Sequence, residues 1–558
     1  MRVFSANSPF TFHLESWYNF EDYDETGGIA RMIRLLDTTL RDGAQAEGVN
    51  FSLEDKRRIA LALDELGVSY IEAGNPAANP KDAAFFAQFR GKRLLRRSKL
   101  VAFGSTMHPG GKPEEDPALQ ALVDSGVDTV SIFGKSSVLH VSEVLRCSRE
   151  ENLRMIRESV AYLTGRGLRV LFDAEHFFDG YRADAAYAMA TLDAALAGGA
   201  SWLTLCDTNG GSLPEEVSAI VREVVAHTHS SVGIHCHNDS GLATACSVAA
   251  VQAGAEMVQG TISGIGERCG NADLCTLIPL MELRLHKPCL PEGHLHRLTH
   301  LSRQIVDIMN LTPNPRAPFV GNSAFAHKGG MHIDGVLKNP ATFEQVPPES
   351  VGNQRRFLLS DQAGRAGVYA RLSRVLPDLS PDSQEIARVI ARLKEKEARD
   401  YTYENADGSF ALLALDTLGR RPKFFTVADF HVLCHSPKNL QITGMAAQAY
   451  VKIEVNGRTG INAAEGDGPL NALDLALRKT LADFYPCLHR MRMNDLKVRV
   501  LNSGDTSSNV RVLIQSTDGE HIWSTVGVSS DIIQALFKAL VDSVDYMLAF
   551  HSEAGGIN

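Results

Sequence analysis

Two histidines separated by one residue, His235 and His237, end a short apolar segment in the run VGIHCHND. If this segment is a β-strand, successive side chains point to opposite faces, so the two imidazoles share one face and Cys236 takes the other. Two neutral imidazoles on one side are a common part of a metal site. Because a histidine pair alone is more often structural than metal-binding, the interpretation depends on the residues that accompany the pair.

Residues suited to the same chemistry follow two other apolar segments. In LLDTTLRDG, Arg41 and Asp42 follow the first such segment after residue 32, and in GIGERCGNA, Glu267 and Asn271 follow a later one. A carboxylate and an amide oxygen are therefore available to complete a site around the histidine pair.

The predicted metal ligands are one carboxylate, two imidazoles and one amide oxygen, from Asp42, His235, His237 and Asn271. This set leaves coordination positions open and suits a divalent ion such as Zn²⁺, Mn²⁺ or Mg²⁺. An open divalent ion can bind the carboxylate of a 2-oxo acid and polarise its ketone. Arg41, beside a ligand, would then stabilise the alkoxide that forms when the ketone carbon is attacked, although a surface ion pair is the alternative role for an arginine.

Attack on a ketone by the carbon next to a thioester carbonyl requires a base. His332 in GGMHIDG is a candidate, because imidazole titrates near neutral pH and the flanking glycines allow a loop to close over a substrate. An ordinary loop histidine is the competing interpretation. Glu175 and Glu267 are further candidates, for orienting water or holding a neighbouring base.

These residues must be positioned by a regular succession of elements. Eight apolar segments alternate with amphipathic stretches such as SLEDKRRIALALDELG, and they lie at 33–36, 68–71, 100–103, 129–133, 169–172, 202–205, 232–234 and 257–262. Eight strand-then-helix units over about 250 residues predict an α/β protein of the TIM (β/α)8 barrel type.

The barrel prediction explains where the polar residues fall. Catalytic groups of this fold lie at the carboxyl ends of strands. The polar residues that follow the predicted strands are Arg41, Asp42, Asn75, Lys135, Glu175, Asp207, Thr208, His235, His237, Glu267 and Asn271. Strand-to-helix loops are polar in any case, but the metal-type ligands follow strands 1, 7 and 8, which are neighbours in a closed barrel.

The rest of the chain predicts further domains. We expect an N-terminal extension at 1–31, the barrel at 32–290, a helical subdomain with linker at 291–444, and a C-terminal α+β domain at 445–550. The last contains two copies of a strand-turn-strand-helix unit. Glycines precede both helices, namely Gly466, Gly468 and Gly527, and free N–H groups at a helix start can receive an amino acid's carboxylate. A purely structural dimerisation domain is the alternative.

Composition excludes several classes of function. The 558 residues carry a net charge of −10, which gives no basic footprint for nucleic acid. No apolar run is long enough to predict a membrane span, and the nine cysteines are scattered without a C-x-x-C pair. We therefore expect a metabolic protein of the cytoplasm, with no nucleic-acid or membrane partner.

The motifs DTTLRDGAQ, HCHND and GIGERCGNA together resemble those of the barrel-type acyl-CoA condensing enzymes, a family that includes isopropylmalate, homocitrate and citramalate synthases. Within that family, DAEHFFDGY, FGKSSVLHVSEVLR, HKGGMHIDGVLKNP, VGNQRRFLLSDQAGR and AAEGDGPLNALDLALRK are similar to the long bacterial citramalate synthase subgroup. The resemblance runs from about residue 33 to 550.

The resemblance implies condensation of acetyl-CoA with pyruvate and hydrolysis to (R)-citramalate and CoA, on the pyruvate route to isoleucine. It assigns the metal to the four ligands above, base chemistry to Glu267 and His332, and the strand 5 glutamate to Glu175. It assigns substrate binding to Arg41, Thr208 and Asp334. The C-terminal repeat is similar to the family's allosteric domain, which binds a branched-chain amino acid and helps to form a homodimer, and we expect isoleucine to be the effector here.

Two residues depart from the family pattern, and other activities stay open. Asn75 in EAGNP stands where relatives commonly read Gly-Gly-Trp, and Phe343 stands where the family commonly has a tyrosine. The alternatives are a 2-isopropylmalate or homocitrate synthase, which uses another 2-oxo acid, and a metal-dependent 3-hydroxyacyl-CoA lyase. A non-enzymatic scaffold for an amino-acid sensor would require a metal ligand to be missing, and all four are present.

Overall fold

The computed structural model describes residues 22–23, 29–30, 32–92, 94–358, 365–373, 375–380, 382–434, 447–501 and 508–552. Most of the predicted N-terminal extension and the end of the predicted linker, 435–444, lie outside the described residues. The chain divides into two compact units, Met1–Phe325 with Val346–Gln354, and Ala326–Gln345 with Arg355–Asn558.

Eight parallel strands close into a barrel in the first unit, as the sequence predicts. They are β1 (Arg34–Asp37), β2 (Tyr70–Glu72), β3 (Lys99–Ser105), β4 (Thr129–Lys135), β5 (Arg169–Glu175), β6 (Trp202–Asp207), β7 (Val232–Cys236) and β8 (Met257–Gly260). Each strand pairs with the next, and β8 pairs with β1, where Met257 lies opposite Arg34 and Gly260 opposite Asp37. The TIM-barrel prediction is confirmed.

The helices of the first unit cover the barrel. They are α1 (Leu53–Leu66), α2 (Pro80–Phe89), α3 (Pro117–Asp124), α4 (Arg149–Gly165), α5 (Phe177–Ala183), α6 (Ala185–Gly198), α7 (Pro214–Thr228), α8 (Ala243–Gln252), α9 (Leu274–Pro279) and α10 (Leu298–Ile308). Helix α1 shows why they form: Ser52 and Asp55 make a reciprocal capping box at its start, and Gly67 ends it in the left-handed conformation. Its Ile59 and Leu63 are fully buried against the barrel.

The barrel interior is packed rather than hollow. Apolar side chains of five strands meet at the amino-terminal end of the barrel, from Leu36, Tyr70, Val101, Leu171 and Met257. Polar side chains occupy the interior above this layer, toward the carboxyl ends of the strands, and they include Asp173, Thr204, His235 and Gln259. This layering puts the polar side chains at the carboxyl end of the barrel, where active sites of this fold lie.

The described part of the second unit contains six α-helices, two three-stranded antiparallel sheets and a short parallel pair, Ala326–His327 with Arg356–Phe357. The helices that precede the sheets are α11 (Gly330–Lys338), α12 (Arg365–Leu372), α13 (Gln384–Glu397) and α14 (Asp407–Thr417). The first module is β9 (Thr426–Cys434), β10 (Ala447–Val455), β11 (Arg458–Gly466) and α15 (Pro469–Leu481). The second is β12 (Arg492–Val500), β13 (Val510–Thr517), β14 (Ile522–Ser529) and α16 (Ile532–Phe550), so each unit of the predicted repeat has one strand more than the sequence suggests.

Helices of the predicted subdomain, 291–444, contribute to both units. Helix α10 packs on the barrel core through Leu298, Leu301 and Ile305. Helix α14 packs in one cluster with the second module, where Phe410 shares a core with Val526 of β14. The hydroxyl of Ser409 accepts a hydrogen bond from the N–H of Val526 at 3.0 Å and donates to Asp542 of α16 at 2.9 Å.

The second module closes around a buried tryptophan. Trp523 of β14 is 1 % exposed, and its indole N–H lies 2.8 Å from the hydroxyl of Ser543 in α16. Gly527 sits where β14 crosses α16, and an added Cβ would lie 2.0 Å from the carbonyl oxygen of Ala535, so only glycine allows this approach. Across the part of the chain that the structure describes, no helix is long and apolar enough to cross a membrane.

Candidate active site

Three of the four predicted metal ligands lie together at the carboxyl end of the barrel. One ligand atom each from Asp42, His235 and His237 lies within 4.8 Å of the others, and all three residues are buried. Asn271 joins them because an isolated β-bridge pairs its backbone with that of His237. The two imidazole rings lie 5.1 Å apart, as expected for side chains that share one face.

The atoms of this cluster fit a metal ion. Oδ2 of Asp42, Nδ1 of His237 and Oδ1 of Asn271 are buried and have no hydrogen-bond partner among the described residues. Buried polar atoms are normally paired, so unpaired atoms on three residues of one cluster require an explanation. A divalent ion supplies it, because carboxylate, imidazole and amide oxygen are all ligands of such ions.

The protonation states of the cluster also suit a cation. Burial lowers the pKa of His235 to about 3 and lowers that of His237, so both imidazoles are neutral at pH 7. Burial is the largest single influence on Asp42 and opposes its ionisation, but Arg41, the two histidines and the Asn271 amide together outweigh it, so the pKa of Asp42 lies below its ordinary value. The site therefore combines one negative charge with two neutral donors.

Gln259 of β8 determines which nitrogen of His235 faces this cluster. Its amide nitrogen lies 2.9 Å from Asp173 and 3.0 Å from the hydroxyl of Thr204, so its oxygen faces Nδ1 of His235 at 3.0 Å. Because an amide oxygen can only accept, Nδ1 must carry the proton. Nε2 is then left with a lone pair, 3.4 Å from Oδ2 of Asp42.

Arg41 is held beside the cluster by a buried carboxylate. Its Nε donates to Glu72 at 2.6 Å, and the guanidinium lies over the ring of Phe103 at 4.0 Å. Burial raises the pKa of Glu72 to about 7 even though Arg41 opposes that rise. The arginine is therefore fixed in place at a site where negative charge would develop.

A cavity of about 240 Å³ opens beside Arg41 and the metal-type residues. It is lined by Arg41, Asp42, Gln45, Phe103, Phe133, Asp173, Glu175, Cys206, Thr208, His235, His237, Glu267 and Arg268. The rings of Phe103 and Phe133 stack at 5.4 Å and form its apolar wall. The cavity thus has one polar side and one aromatic side.

Thr208 and Glu175 lie on the polar side of this cavity. The hydroxyl oxygen of Thr208 accepts the N–H of His176 at 2.9 Å, which leaves its own proton available for an anionic ligand. Glu175 makes a close ion pair with Lys135 at the end of the neighbouring strand. Both residues are where the sequence predicts them.

Glu267 reaches the same cavity but is more exposed. Its side chain is 58 % exposed, and the nearest cation, Arg268, lies at 3.8 Å and is itself paired with Asp239. Solvent access of this kind suits a carboxylate that orients water.

His332 and Asp334 belong to the second unit and not to this cluster. Both are exposed on α11, where the imidazole of His332 stacks on the ring of Phe343 at 4.2 Å and Asp334 pairs with Lys338 at 2.6 Å. Asn75 is also absent from the cavity lining. Its amide oxygen accepts the N–H groups of Ala77 and Ala78, so it shapes the turn that follows β2.

Sequence reasoning missed the residues that support the site from inside the barrel. These are Glu72, Phe103, Phe133, Asp173 and Gln259. Each lies within a strand, where the sequence shows a polar or aromatic residue in an apolar segment. A glutamate or glutamine at a predicted interior position, such as Gln259 in MVQGT, is the one signal that could have identified them.

Comparison with known families covers nearly the whole described chain. Residues 32–305 match the model of the HMGL-like family, which spans the barrel and most of α10. Residues 319–400 match the homocitrate synthase post-HMGL domain-like family, and 404–548 match the LeuA allosteric (dimerisation) domain.

Curated proteins of similar sequence align over almost their full length. The (R)-citramalate synthase of Synechocystis is 47 % identical, with 92 % of this chain and 96 % of that protein covered. The (R)-citramalate synthase of Geobacter sulfurreducens is 46 % identical, with 94 % and 99 % covered, and that of Aquifex aeolicus is 47 % identical, with 94 % and 100 % covered. With its closed barrel, its buried ligand cluster and its C-terminal double module, this chain belongs to the (R)-citramalate synthase family.

Proposed function

We propose that this protein condenses acetyl-CoA with pyruvate to give (R)-citramalate and CoA, in the synthesis of isoleucine. One observation carries the proposal: the buried cluster of Asp42, His235, His237 and Asn271 stands beside Arg41 at a small cavity. The curated relatives named above are (R)-citramalate synthases, which supports the same reaction. The acetyl-CoA methyl loses a proton, its carbon bonds to the ketone carbon of pyruvate, and water cleaves the thioester to release CoA.

A divalent ion held by Asp42, His235, His237 and Asn271 would act as a Lewis acid toward the 2-oxo acid. Arg41 is placed to donate hydrogen bonds to the ketone oxygen as it gains negative charge, and Glu72 keeps the guanidinium oriented. Thr208 is placed to donate its proton to the substrate carboxylate, because its oxygen already accepts the His176 N–H.

The lining of the cavity supports pyruvate as the acceptor. Phe103 and Phe133 close its apolar side, opposite the polar groups. A methyl group fits against such a wall, and bulkier acyl chains crowd it more. Asn75, the departure after β2, is directed into its own turn and so does not enlarge the cavity.

We assign base chemistry to His332, with Glu175 and Glu267 in supporting roles. The exposed imidazole of His332 stacks on Phe343 beside the glycines that begin α11, which leaves it accessible to a substrate. Asp334, two residues on, is proposed to contact substrate from the same exposed helix. Glu267 is exposed enough to orient the water that cleaves the thioester.

A metal-dependent lyase is the second candidate, since the same cluster could run the reverse type of cleavage. The match of 404–548 to an allosteric (dimerisation) domain favours a synthase, because a biosynthetic first step is a point of end-product control. We also propose that the enzyme works in a reducing compartment such as the cytoplasm. All nine cysteines are free, and five of them are buried.

We propose a homodimer formed through the C-terminal modules, and the surface of β12 supports it. Every residue of this strand is exposed, and its alternate apolar side chains, Leu496, Val498 and Val500, are 38, 45 and 55 % exposed. An exposed apolar edge strand favours aggregation of a monomer, so we propose that a second copy of the chain covers this strand.

We propose isoleucine as the effector, with its carboxylate at the start of α15. The start of α16 is less suitable, because Asp531 already accepts the N–H groups of Ile533 and Gln534. The start of α15 has no side-chain cap, and nothing lies within 4 Å of the Cβ position of Gly468. Pro469, the first residue of this 13-residue helix, has no N–H, so the backbone N–H groups just after it are the ones that suit a carboxylate.

The same unit offers a second location for the effector. A cavity of about 890 Å³ lies between α13, α14, β9 and α16, and it combines Phe430, Phe537 and Val541 with the ion-paired Arg421 and Asp542. Apolar surface next to charges of both signs also suits an amino acid. The effector measurement below separates the two locations.

Removal of the metal or of one ligand should abolish condensation. His235→Ala is expected to lower kcat by at least about 1,000-fold with the fold intact, because an open Lewis-acid site contributes several kcal/mol. The matched control is His227→Ala, which removes an exposed imidazole of α7 that pairs with Asp193 of α6. Full turnover by chelator-treated, metal-free enzyme would show the assignment to be wrong.

Gln259→Leu should weaken metal binding without removing a ligand. His235 would lose the acceptor that fixes its tautomer, and loss of such a supporting contact typically costs roughly 10- to 100-fold in affinity. The readout is the dissociation constant of Zn²⁺, Mn²⁺ and Mg²⁺ by competition with a fluorescent chelator. Ser247→Ala removes a buried hydroxyl of α8 that donates to the carbonyl of Ala243, and it should leave those dissociation constants unchanged. Equal affinities in Gln259→Leu and the native protein would contradict the role of Gln259.

Pyruvate should be preferred over larger 2-oxo acids. We expect kcat/KM, measured by CoA release, to fall by roughly 10- to 200-fold for each added methylene. Phe133→Ala should open the aromatic wall and so reduce the difference in kcat/KM between pyruvate and the larger acids 2-oxobutyrate and 2-oxoisovalerate. A native preference for 2-oxoisovalerate would assign the chain to isopropylmalate synthesis, and one for 2-oxoglutarate to homocitrate synthesis.

Gly468→Asp should remove the response to isoleucine and preserve turnover in its absence. The new carboxylate would cap α15 and repel the carboxylate of the effector, whereas Gly468→Ala adds no charge and should keep the response. Coupling of this kind is typically 5- to 150-fold in apparent affinity. An unchanged response in Gly468→Asp, together with its loss in Val541→Trp, would move the effector to the larger cavity. Indifference of the native enzyme to isoleucine, leucine and valine would leave the modules as an assembly domain.

A further inference from the structure

A second group of metal-type side chains lies in the C-terminal unit, far along the chain from the barrel ligands. Asp518 and His521 belong to the turn that joins β13 to β14, and His551 ends α16. One ligand atom of each lies within 4.8 Å of the others. Within the described chain this is the only such group of His, Cys, Asp and Glu side chains besides that of the barrel.

The carboxylate of Asp518 is held in place with one oxygen directed at the histidines. Its Oδ1 accepts the backbone N–H groups of Glu520 and His521, at 2.9 and 2.7 Å. Its Oδ2 lies 3.2 Å from Nδ1 of His521. The side chain is only 4 % exposed, so the direction of this oxygen is fixed by the turn.

The turn geometry accounts for Asp518 and His521 but not for His551. The ring of His551 stacks on that of His521 with centroids 4.2 Å apart and an angle of 17° between the planes. It is held from the other sides by Trp523 and Tyr546, each with a ring centroid 5.5 Å away. The packing of α16 against β14 thus brings a second imidazole to the same carboxylate.

We propose that Asp518, His521 and His551 form a binding site for a divalent transition-metal ion such as Zn²⁺, Co²⁺ or Ni²⁺. Metal–ligand distances of roughly 2.0–2.2 Å place neighbouring ligand atoms of a tetrahedral site roughly 3.3–3.6 Å apart. The Asp518–His521 distance is already close to this value. The side chain of His521 is 52 % exposed, so it can rotate to close the remaining distance, and water can complete the coordination.

The ligand types decide which ions the site accepts. Two imidazoles with one carboxylate favour borderline ions over Mg²⁺ or Ca²⁺, which prefer oxygen. A bound ion would join the β13–β14 turn to the end of α16 and so stabilise the second module, by an amount that grows with free-ion concentration.

The test separates this site from the barrel cluster. Full-length protein carrying His235→Ala and His237→Ala, stripped with a chelator, is titrated with Co²⁺ and followed by visible absorption and calorimetry. We expect one Co²⁺ per chain with the absorption of imidazole ligation, and no binding of Mg²⁺ at the same concentration. Adding His521→Ala, at an exposed turn position, should weaken Co²⁺ binding at least tenfold, and adding His551→Ala should do the same.

The chain supplies a matched control. His431 of β9 is exposed and pairs with Asp429 at 3.0 Å, but it belongs to no three-residue group among the described side chains. His431→Ala in the same background should leave Co²⁺ binding unchanged. Co²⁺ binding that is equal in the His521→Ala, His551→Ala and His431→Ala proteins, or absent from the parent, would overturn the proposal. In the native barrel background, His521→Ala should not alter turnover, so failure of this site is distinguishable from failure of the proposed reaction.

Discussion

The hydrogen bonds that close the barrel between β8 and β1 are the interaction on which the site depends. The pairing continues beyond the strands: the N–H of Thr38 donates to Gly260 at 2.9 Å, and the carbonyl of Thr38 accepts the N–H of Asp42 at 2.8 Å. An unbroken backbone path therefore runs from the last strand to the metal-type carboxylate after the first. On the other side of β8, pairing with β7 places Gln259 opposite His235. Closure of the sheet thus brings together residues from the two ends of the barrel sequence.

The barrel also buries charge that would be unfavourable in isolation. Arg41, Glu72 and Asp42 form one buried group, and Asp173 lies close enough to contribute to the raised pKa of Glu72. Removing one partner of such a group leaves an uncompensated charge and typically costs about 3–5 kcal/mol, whereas the intact group is nearly neutral in its net effect. The apolar shell of helices and outward strand faces supplies the stability that tolerates it. A cation already fixed in a dry site needs no reorganisation when a substrate develops charge beside it.

The strands and their polar ends could be predicted because both depend on local patterns. A short apolar segment followed by a capped helix, as at Ser52 and α1, predicts a strand-then-helix unit from the local sequence alone. The hydrogen bonds of Gln259 to His235 and of Glu72 to Arg41 could not be predicted. The tilt and stagger of the strands decide which interior side chains meet, and the sequence of a single strand shows neither the tilt nor the stagger. The edge strands β9 and β12 were missed for a different reason. Their mostly exposed residues, as in RMNDLKVRV, lack the buried alternation that marks β10.

The division of the helices between the two units shows a further limit of sequence patterns. An amphipathic helix has a recognisable apolar face, but the pattern does not identify its partner, so α10 and α14 look alike until one is seen on the barrel and the other on β14. The roles of His332 and Asp334 stay predictions for the same reason. Each lies on an exposed helix of the second unit, and its partner is not specified by local sequence.

Helix α14 has a practical meaning for anyone who wishes to recombine enzymes of this family. Ser409 bonds both β14 and α16, and Phe410 lies in the same core as Val526, so the helix is part of the second module although it precedes both modules in the chain. A chimaera joined at about residue 440 would separate this helix from the strands and helix that cover it. A crossover just after Gln354 would keep α14 with the strands and helix on which it packs, but Ala326–Gln345 of the second unit would then stay with the barrel sequence.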